Sequence, residues 1–253
     1  MRLARLSFSE VLSTKVSASL FLAAKTLRFL FFFLFLLHLI GSTQGLLGFT
    51  RDQAVLFFLV WNIIDIAAQL FFRGVYFFRQ KVVSGELDFY LSKPMNPLFR
   101  ILTGQTDLLD LTTLIALTIF IAWFLPNSSL TVSLQSLLLF LILLAASFLI
   151  ALAFHIVVVA IGIIALEVDH SIMIYRDVTQ MARFPIDIYT EPLRSVLTFA
   201  FPVAIMFTVP AKALMGLASP FMVISSLFIV FCSLFFSFRL WHYALTKYSS
   251  ASS

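Results

Sequence analysis

The sequence predicts an all-α membrane protein, a polytopic bundle of six transmembrane helices forming a single domain over residues 1–253. Three observations carry this. Of 253 residues, 61% are hydrophobic, with 31 Phe, and only 11% are charged, where a soluble domain carries about a quarter. The apolar residues gather in runs near 20 residues, the length that crosses roughly 30 Å of hydrocarbon at about 1.5 Å per residue. The basic residues, finally, crowd onto alternate connections between those runs, as membrane topology requires. Six spans use roughly half the chain and leave no room for a soluble domain of ordinary size.

Taken in order, residues 1–26 place Arg2, Arg5, Lys15 and Lys25 among Leu, Phe, Val and Ser. That is the pattern of a helix lying at the membrane surface and leading into the first span. A secretory signal peptide is the rival reading, but the basic lead is too long, and Gly41-Ser42-Thr43-Gln44 offers no small-x-small cleavage site. Span one runs from about Leu27 to Leu47. Gly41 and Gly45 match GxxxG at its polar end and read as loop rather than as a helix-pairing face. Span two runs from about Gln53 to Phe78.

A polar loop over 79–107 follows, centred on GELDFYLSKPMNPLFR, Gly85 to Arg100. It holds Glu86, Asp88, Lys93 and Arg100, and Pro94 and Pro97 keep any single helix from running through it. Its charges and freed backbone groups exclude it from hydrocarbon. It is either a solvated connection or a short helix presented to a soluble partner.

Span three covers about Leu108 to Leu125 and closes on the turn Pro126-Asn127-Ser128-Ser129. Span four, about Leu134 to Leu166, is roughly 50 Å long as helix, so it must tilt, break or project into water. A second polar segment occupies 167–194. Within it, Ile172, Met173, Val178, Met181 and Ala182 alternate with Arg176, Asp177, Gln180 and Arg183, the spacing of a helix lying on the inner surface. Span five is about Ser195 to Val209, interrupted by Pro202 and ended by Pro210. Span six is about Pro220 to Trp241, before a Ser-rich tail.

The basic residues set the orientation. With the N-terminus cytoplasmic, the outer segments hold only Arg51 and Lys212, and Arg73 reaches back to the inner surface. The rest of the 17 Lys and Arg face the cytoplasm, which places both termini and both polar segments inside. The net charge of +5 is therefore topological, not a nucleic-acid signal.

The chain carries little that looks catalytic. There is no GxxxxGK[ST] or GxGxxG phosphate cradle and no HExxH, and His38, His155, His170 and His242 are scattered. The lone Cys232 lies in an apolar run and reads as packing. Asp65 stands about 12 residues into span two, where an ionisable group marks either function or a structural pair with a neighbour such as Asn62 or Gln69. His155, deep in span four, reads as a buried polar group more than as a ligand.

At this point the residues resemble a family. GELDFYLSKPMNPLFRIL between spans two and three is similar to a stretch in the membrane subunits of type-2 ABC exporters, in particular the bacterial six-span permeases that pair with a separate ATP-binding subunit. ARFPIDIYTEPLRSVLTFAFPVAIMFTVPAKAL resembles their Pro-Tyr approach, Arg and Pro-containing outer turn. Trp241 to Ser253 resembles their C-terminal tail.

The resemblance implies a permease of an ATP-binding cassette (ABC) exporter in a bacterial inner (plasma) membrane. It pairs with an ABC ATP-binding subunit and with a second permease chain, identical or similar. ATP and Mg belong to the partner, and this chain holds no cofactor and does no catalysis. Gly85, Glu86, Leu87, Asp88, Tyr90, Pro94 and Pro97 become the coupling helix. In it, Glu86 and Asp88 are the polar contacts and Leu87 and Tyr90 the apolar anchors. Residues 1–26 become a surface connecting helix, and Pro202, Pro210 and Lys212 an outer re-entrant turn. The readings set against it are a secondary transporter or channel acting alone, and an intramembrane enzyme.

Overall fold

The computed structural model describes residues 15–43, 48–165 and 168–248, and these form helices and no strand. The first, α1 (Lys15–Thr43), is unbroken. Within the described residues nothing separates the expected surface helix from span one; residues 1–14 lie outside them. α2 (Arg51–Phe72) starts at a capping box, with Thr50 accepting from Gln53 N and the Gln53 side chain accepting from Thr50 N. A tight turn, Arg73–Phe77, leads from it into α3 (Phe78–Val83).

The polar island folds as two short helices, α4 (Glu86–Leu91) and α5 (Pro97–Thr103). Gly85 enters α4 in the left-handed region at φ 76°, a conformation glycine adopts without penalty. Pro97 opens α5 in its first turn while Asn96 caps it through Phe99 N; a proline costs nothing where the N–H has no helical partner. α6 (Leu108–Phe124) is capped by Asp107, and α7 (Leu134–Ala165) runs unbroken for 32 residues. It does not break. Its final turns project past the membrane-sized part of the bundle and pack on α3. α8 (Val168–Met181), a bent pair α9 (Leu193–Ala200) and α10 (Ala204–Leu214), and α11 (Pro220–Lys247) complete the chain.

The core is a seam of α7, α10 and α11 against α2. Small side chains on α7, among them Ala146, Ser147 and Ala151, are fully buried, and such residues let helices approach closely where lipid supplies no hydrophobic drive. On α11 the buried stripe is Ser226, Val230, Ser237, Trp241 and Ala244, a helical repeat with one lipid-free face. Ser147, Ser226 and Ser237 return their hydroxyls to Leu143, Met222 and Leu234 carbonyls, so none of these three is stranded by the close packing. α1 and α6 are different. Their flanks remain open over most of their length, leaving Phe31, Leu34, Ile119 and Trp123 exposed.

The direction of each helix corrects the expected topology. α2 and α7 both run toward the end where α3, α4 and α5 project, hereafter the tip. α11 does the same, since Gly216 before it lies beside Ser136 near the start of α7, and Tyr248 after it faces Asp88 on α4. One crossing must therefore return the chain between Ala165 and Pro220. The sequence assigns it to Ser195–Val209, but α8 makes it. Val168 packs on Gly162, and Asp169 pairs with Arg79 at 3.0 Å. Further along, Tyr175 meets His155, the Thr179 carbonyl accepts from Trp61 Nε1 at 3.0 Å, and Phe184 packs on Phe32. From Trp61 to Arg79, along α2 and the turn and α3 that continue it, is about 27 Å at roughly 1.5 Å per residue. The polar helix does not lie on a surface; it climbs through the bundle.

Helices α9 and α10 meet at 78°, with Pro202 buried at the bend. They begin and end at the same depth, because Asp187 holds both legs, accepting from Arg194 at 3.2 Å and pairing with Lys212 at 2.7 Å. Asp187, Arg194 and Lys212 therefore cannot occupy opposite faces of a membrane, and the pair is a re-entrant hairpin instead of a fifth span. Pro210 does not end it: it sits in the first turn of Val209–Leu214, where a proline is tolerated.

Two measurements test this account. With Cys232 replaced by Ser, a cysteine at exposed Glu191 is expected to react with an impermeant thiol reagent from the same side as one at Ser129, and from the opposite side to one at Met95. Labelling of 191 together with 95 would refute the α8 crossing. A Cβ on Gly74 would lie 2.1 Å from the Ile101 carbonyl oxygen, whereas one on Gly41, which is helical, meets nothing within 4 Å. Gly74→Ala should therefore destabilise the purified protein by about 1–3 kcal/mol, while Gly41→Ala leaves its melting temperature unchanged.

Candidate functional site

The tip is built on a contact between backbones. Gly74, in the turn after α2, lets the α5 carbonyls approach where no side chain fits. Leu98, Ile101 and Leu102 of α5 are buried against α2 and α7, which leaves Phe99 outward. On α4, Leu87 is fully buried and Tyr90 is half-buried, with Lys81 and Arg100 over its ring at 5.5 and 5.9 Å. These two residues face the chain's own core, three positions apart on one side of the helix. The sequence assigned them as anchors for a partner, and burial removes Leu87 from that role.

The outward apolar residues are instead Phe89, Leu91, Met95 and Phe99, with Lys93 over Phe89 at 3.7 Å. Sequence reasoning missed them, although Leu87 and Tyr90 at i, i+3 already imply that Phe89 points the other way. Glu86 and Pro94 are exposed, and Gly85 and Pro97 are half-buried at the two helix starts. Asp88 is partly covered by Tyr248, whose phenol is pushed up from its ordinary value by burial and then by that carboxylate.

The second feature is a cleft between α1, α2 and α8. Its outer chamber, about 420 Å³, is lined by Lys25, Arg28, Gln69, Arg73, Tyr76 and Arg176 together with Phe21 and Phe77. A deeper pocket of about 100 Å³ continues to Asn62, Asp65, Trp61, Phe32, Phe58 and Arg183. Gln69 donates to Asp65 Oδ2 at 2.8 Å, one turn along α2. Asn62 does not join them; it donates to the Phe58 carbonyl. Asp65 thus has a structural partner and also faces the cleft, so both readings of it meet at one place.

At the mouth, the fully buried Asp110 pairs with Lys25 and, at 3.3 Å, with Arg73, which also reaches Asp107 at 2.9 Å. This network joins α1, α2 and α6. Behind the cleft, His155 shares Nδ1 with the Ala151 carbonyl at 2.7 Å and stacks near Phe72, Tyr76 and Tyr175. Its Nε2 and the Tyr175 hydroxyl are buried without a hydrogen-bond partner. At the far end of the bundle, Asp187, Arg194 and Lys212 line a cavity of about 420 Å³ between the hairpin and the start of α11, with Thr198, Ser219 and Ser225.

Removing Asp110 leaves the part-exposed Lys25 without its carboxylate and Arg73 with Asp107 alone, so Asp110→Ala is expected to cost about 1–3 kcal/mol, read as a lowered melting temperature in detergent. Asp65→Asn keeps the Gln69 contact and should shift that temperature little.

Compared with known proteins, residues 22–252 match a family model described as ABC-2 family transporter protein. No curated protein and no solved structure matches the chain.

Proposed function

Because the chain belongs to the ABC-2 family of transporter proteins, and is thus a membrane component of an ABC transporter, we propose that it is the permease of an exporter driven by a separate ATP-binding subunit. The observation that carries this is the tip. Two short helices stand beyond the bundle, locked to α2 through Gly74 and displaying exposed Phe89, Leu91, Met95 and Phe99 beside Glu86. A soluble protein rarely leaves apolar side chains clustered in water unless a partner covers them. Residues from Gly85 to Pro97 then form the coupling element, with Glu86 as its polar contact and the outward Phe residues as its anchors.

In this reading the tip is cytoplasmic, as the basic residues favour, and the host membrane is a bacterial inner membrane. ATP and Mg are held by the partner. Nucleotide-driven closure of two ATPase subunits pushes on two tips, in a dimer of identical or similar permeases. The push passes through α2 into the wall of the cleft, which opens toward the tip in one state and toward the α9–α10 hairpin in the other. The open flank of α6 suits contact with a second permease.

The test is co-purification. Glu86→Lys combined with Phe89→Ala should reduce recovery of the ATP-binding subunit by about tenfold, the effect of losing roughly 1.4 kcal/mol of interface energy, while membrane insertion is unchanged. Undiminished recovery would remove the tip as the docking element.

A further inference from the structure

We propose that the cleft between α1, α2 and α8 is a binding site for the phosphate-bearing headgroup of an anionic amphiphile, whose apolar chains remain in the adjoining lipid. The inference rests on the permease reading above and assigns the class of molecule handled at its cleft. It begins with charge. Lys25 and Arg73 are answered by Asp110 and Asp107. That leaves Arg28, Arg176 and Arg183 facing Asp65, the only carboxylate among the described residues that line either chamber.

Depth makes the imbalance informative. Arg183 lies beside Trp61, about 18 Å along α2 from Arg73, too deep to serve merely as an interfacial topology signal. Its guanidinium stacks over Trp61 at 4.9 Å and Phe32 at 5.0 Å, which fixes its plane, and its Nε is buried without a partner. Nearby, the Tyr76 hydroxyl is also buried, with Arg176 over its ring at 5.9 Å. Uncompensated cations at this depth cost several kcal/mol. Planar guanidiniums with free donors are the groups that recognise phosphate in a bidentate manner.

The walls then choose between a free anion and an amphiphile. Phe21, Phe29, Phe32 and Phe58 surround the charges, and the flank of α1 beside them is open, with Leu20, Leu27 and Phe31 exposed to the hydrocarbon. A headgroup can enter from the side while its chains never leave lipid. A small soluble anion would instead have to exchange its hydration for an aromatic lining.

The experiment uses the purified complex with its ATP-binding subunit, in nanodiscs of equal phosphatidylglycerol and phosphatidylcholine, with retained lipid counted by native mass spectrometry after transfer to detergent. Preferential retention of phosphatidylglycerol is expected, reduced about tenfold in Arg176→Gln/Arg183→Gln and unaltered in Arg239→Gln on the open face of α11. Arg28→Gln, at an exposed position, gives the same readout without burdening folding and should lower retention in the same direction. Equal retention of the two lipids by the unaltered protein, or unchanged retention in the cleft variants, overturns the proposal. In delipidated protein, thermal stabilisation by inorganic phosphate alone that is lost with Arg183 would point to a free anion and overturn it as well. Recovery of the ATP-binding subunit is read in the same samples, so loss of the headgroup site with the subunit retained leaves the permease reading standing.

Discussion

An arginine in hydrocarbon must be given company, and the middle of this bundle is arranged around that requirement. Helix α8 carries Arg176, Asp177 and Gln180, and Arg183 just past its end, through a region where neighbouring helices are almost wholly apolar. It can do so because α1 and α2 supply aromatic faces for the guanidiniums, a carboxylate at Asp65 and an indole donor for the Thr179 carbonyl. The loose fit of α1 against the rest follows from the same need. A tight α1–α2 seam would close the space into which those charges project.

The same principle appears at both boundaries of the membrane with different solutions. Toward the tip, Asp110 and Asp107 gather cations from α1 and α2 into a network that ties α6 to them. Toward the far end, Asp187 grips Arg194 and Lys212 and so closes the hairpin on itself. In each case a carboxylate sets the relative position of elements remote in sequence, a role that pairing in low dielectric strengthens. Between the two clamps lies the cleft, where Arg28, Arg176 and Arg183 outnumber the carboxylate of Asp65 among the described residues. A transporter needs such an incomplete place, since a fully satisfied interior offers a cargo nothing to bind.

Much of this was legible in the chain. Hydropathy is a local property, so spans one to four and six, their order and the polar island could be read by window. Pro94 and Pro97 announced that no single helix runs through the island, which folds as two. The fifth crossing was hidden for a physical reason. A window over Val168–Met181 registers its charges as a penalty, and the groups that answer them come from far away: Trp61 is 118 positions from Thr179. The apolar run Ser195–Val209 looked like a span because a re-entrant hairpin is as greasy as a crossing, and only the shared partner Asp187 shows that it returns. At the tip, the pattern of Leu87 and Tyr90 marked an apolar face correctly, but it could not say whether that face met a partner or the chain's own core.

The contact at Gly74 has a mechanical meaning. Main chain rests on main chain there, with no flexible side chain between to absorb displacement. A shove delivered to the short helices reaches the long one undamped, as in a lever whose pivot has no play. The two ends of that lever cannot be cocked separately, so whatever state the outlying helices adopt is imposed at once on the charged recess beside Asp65.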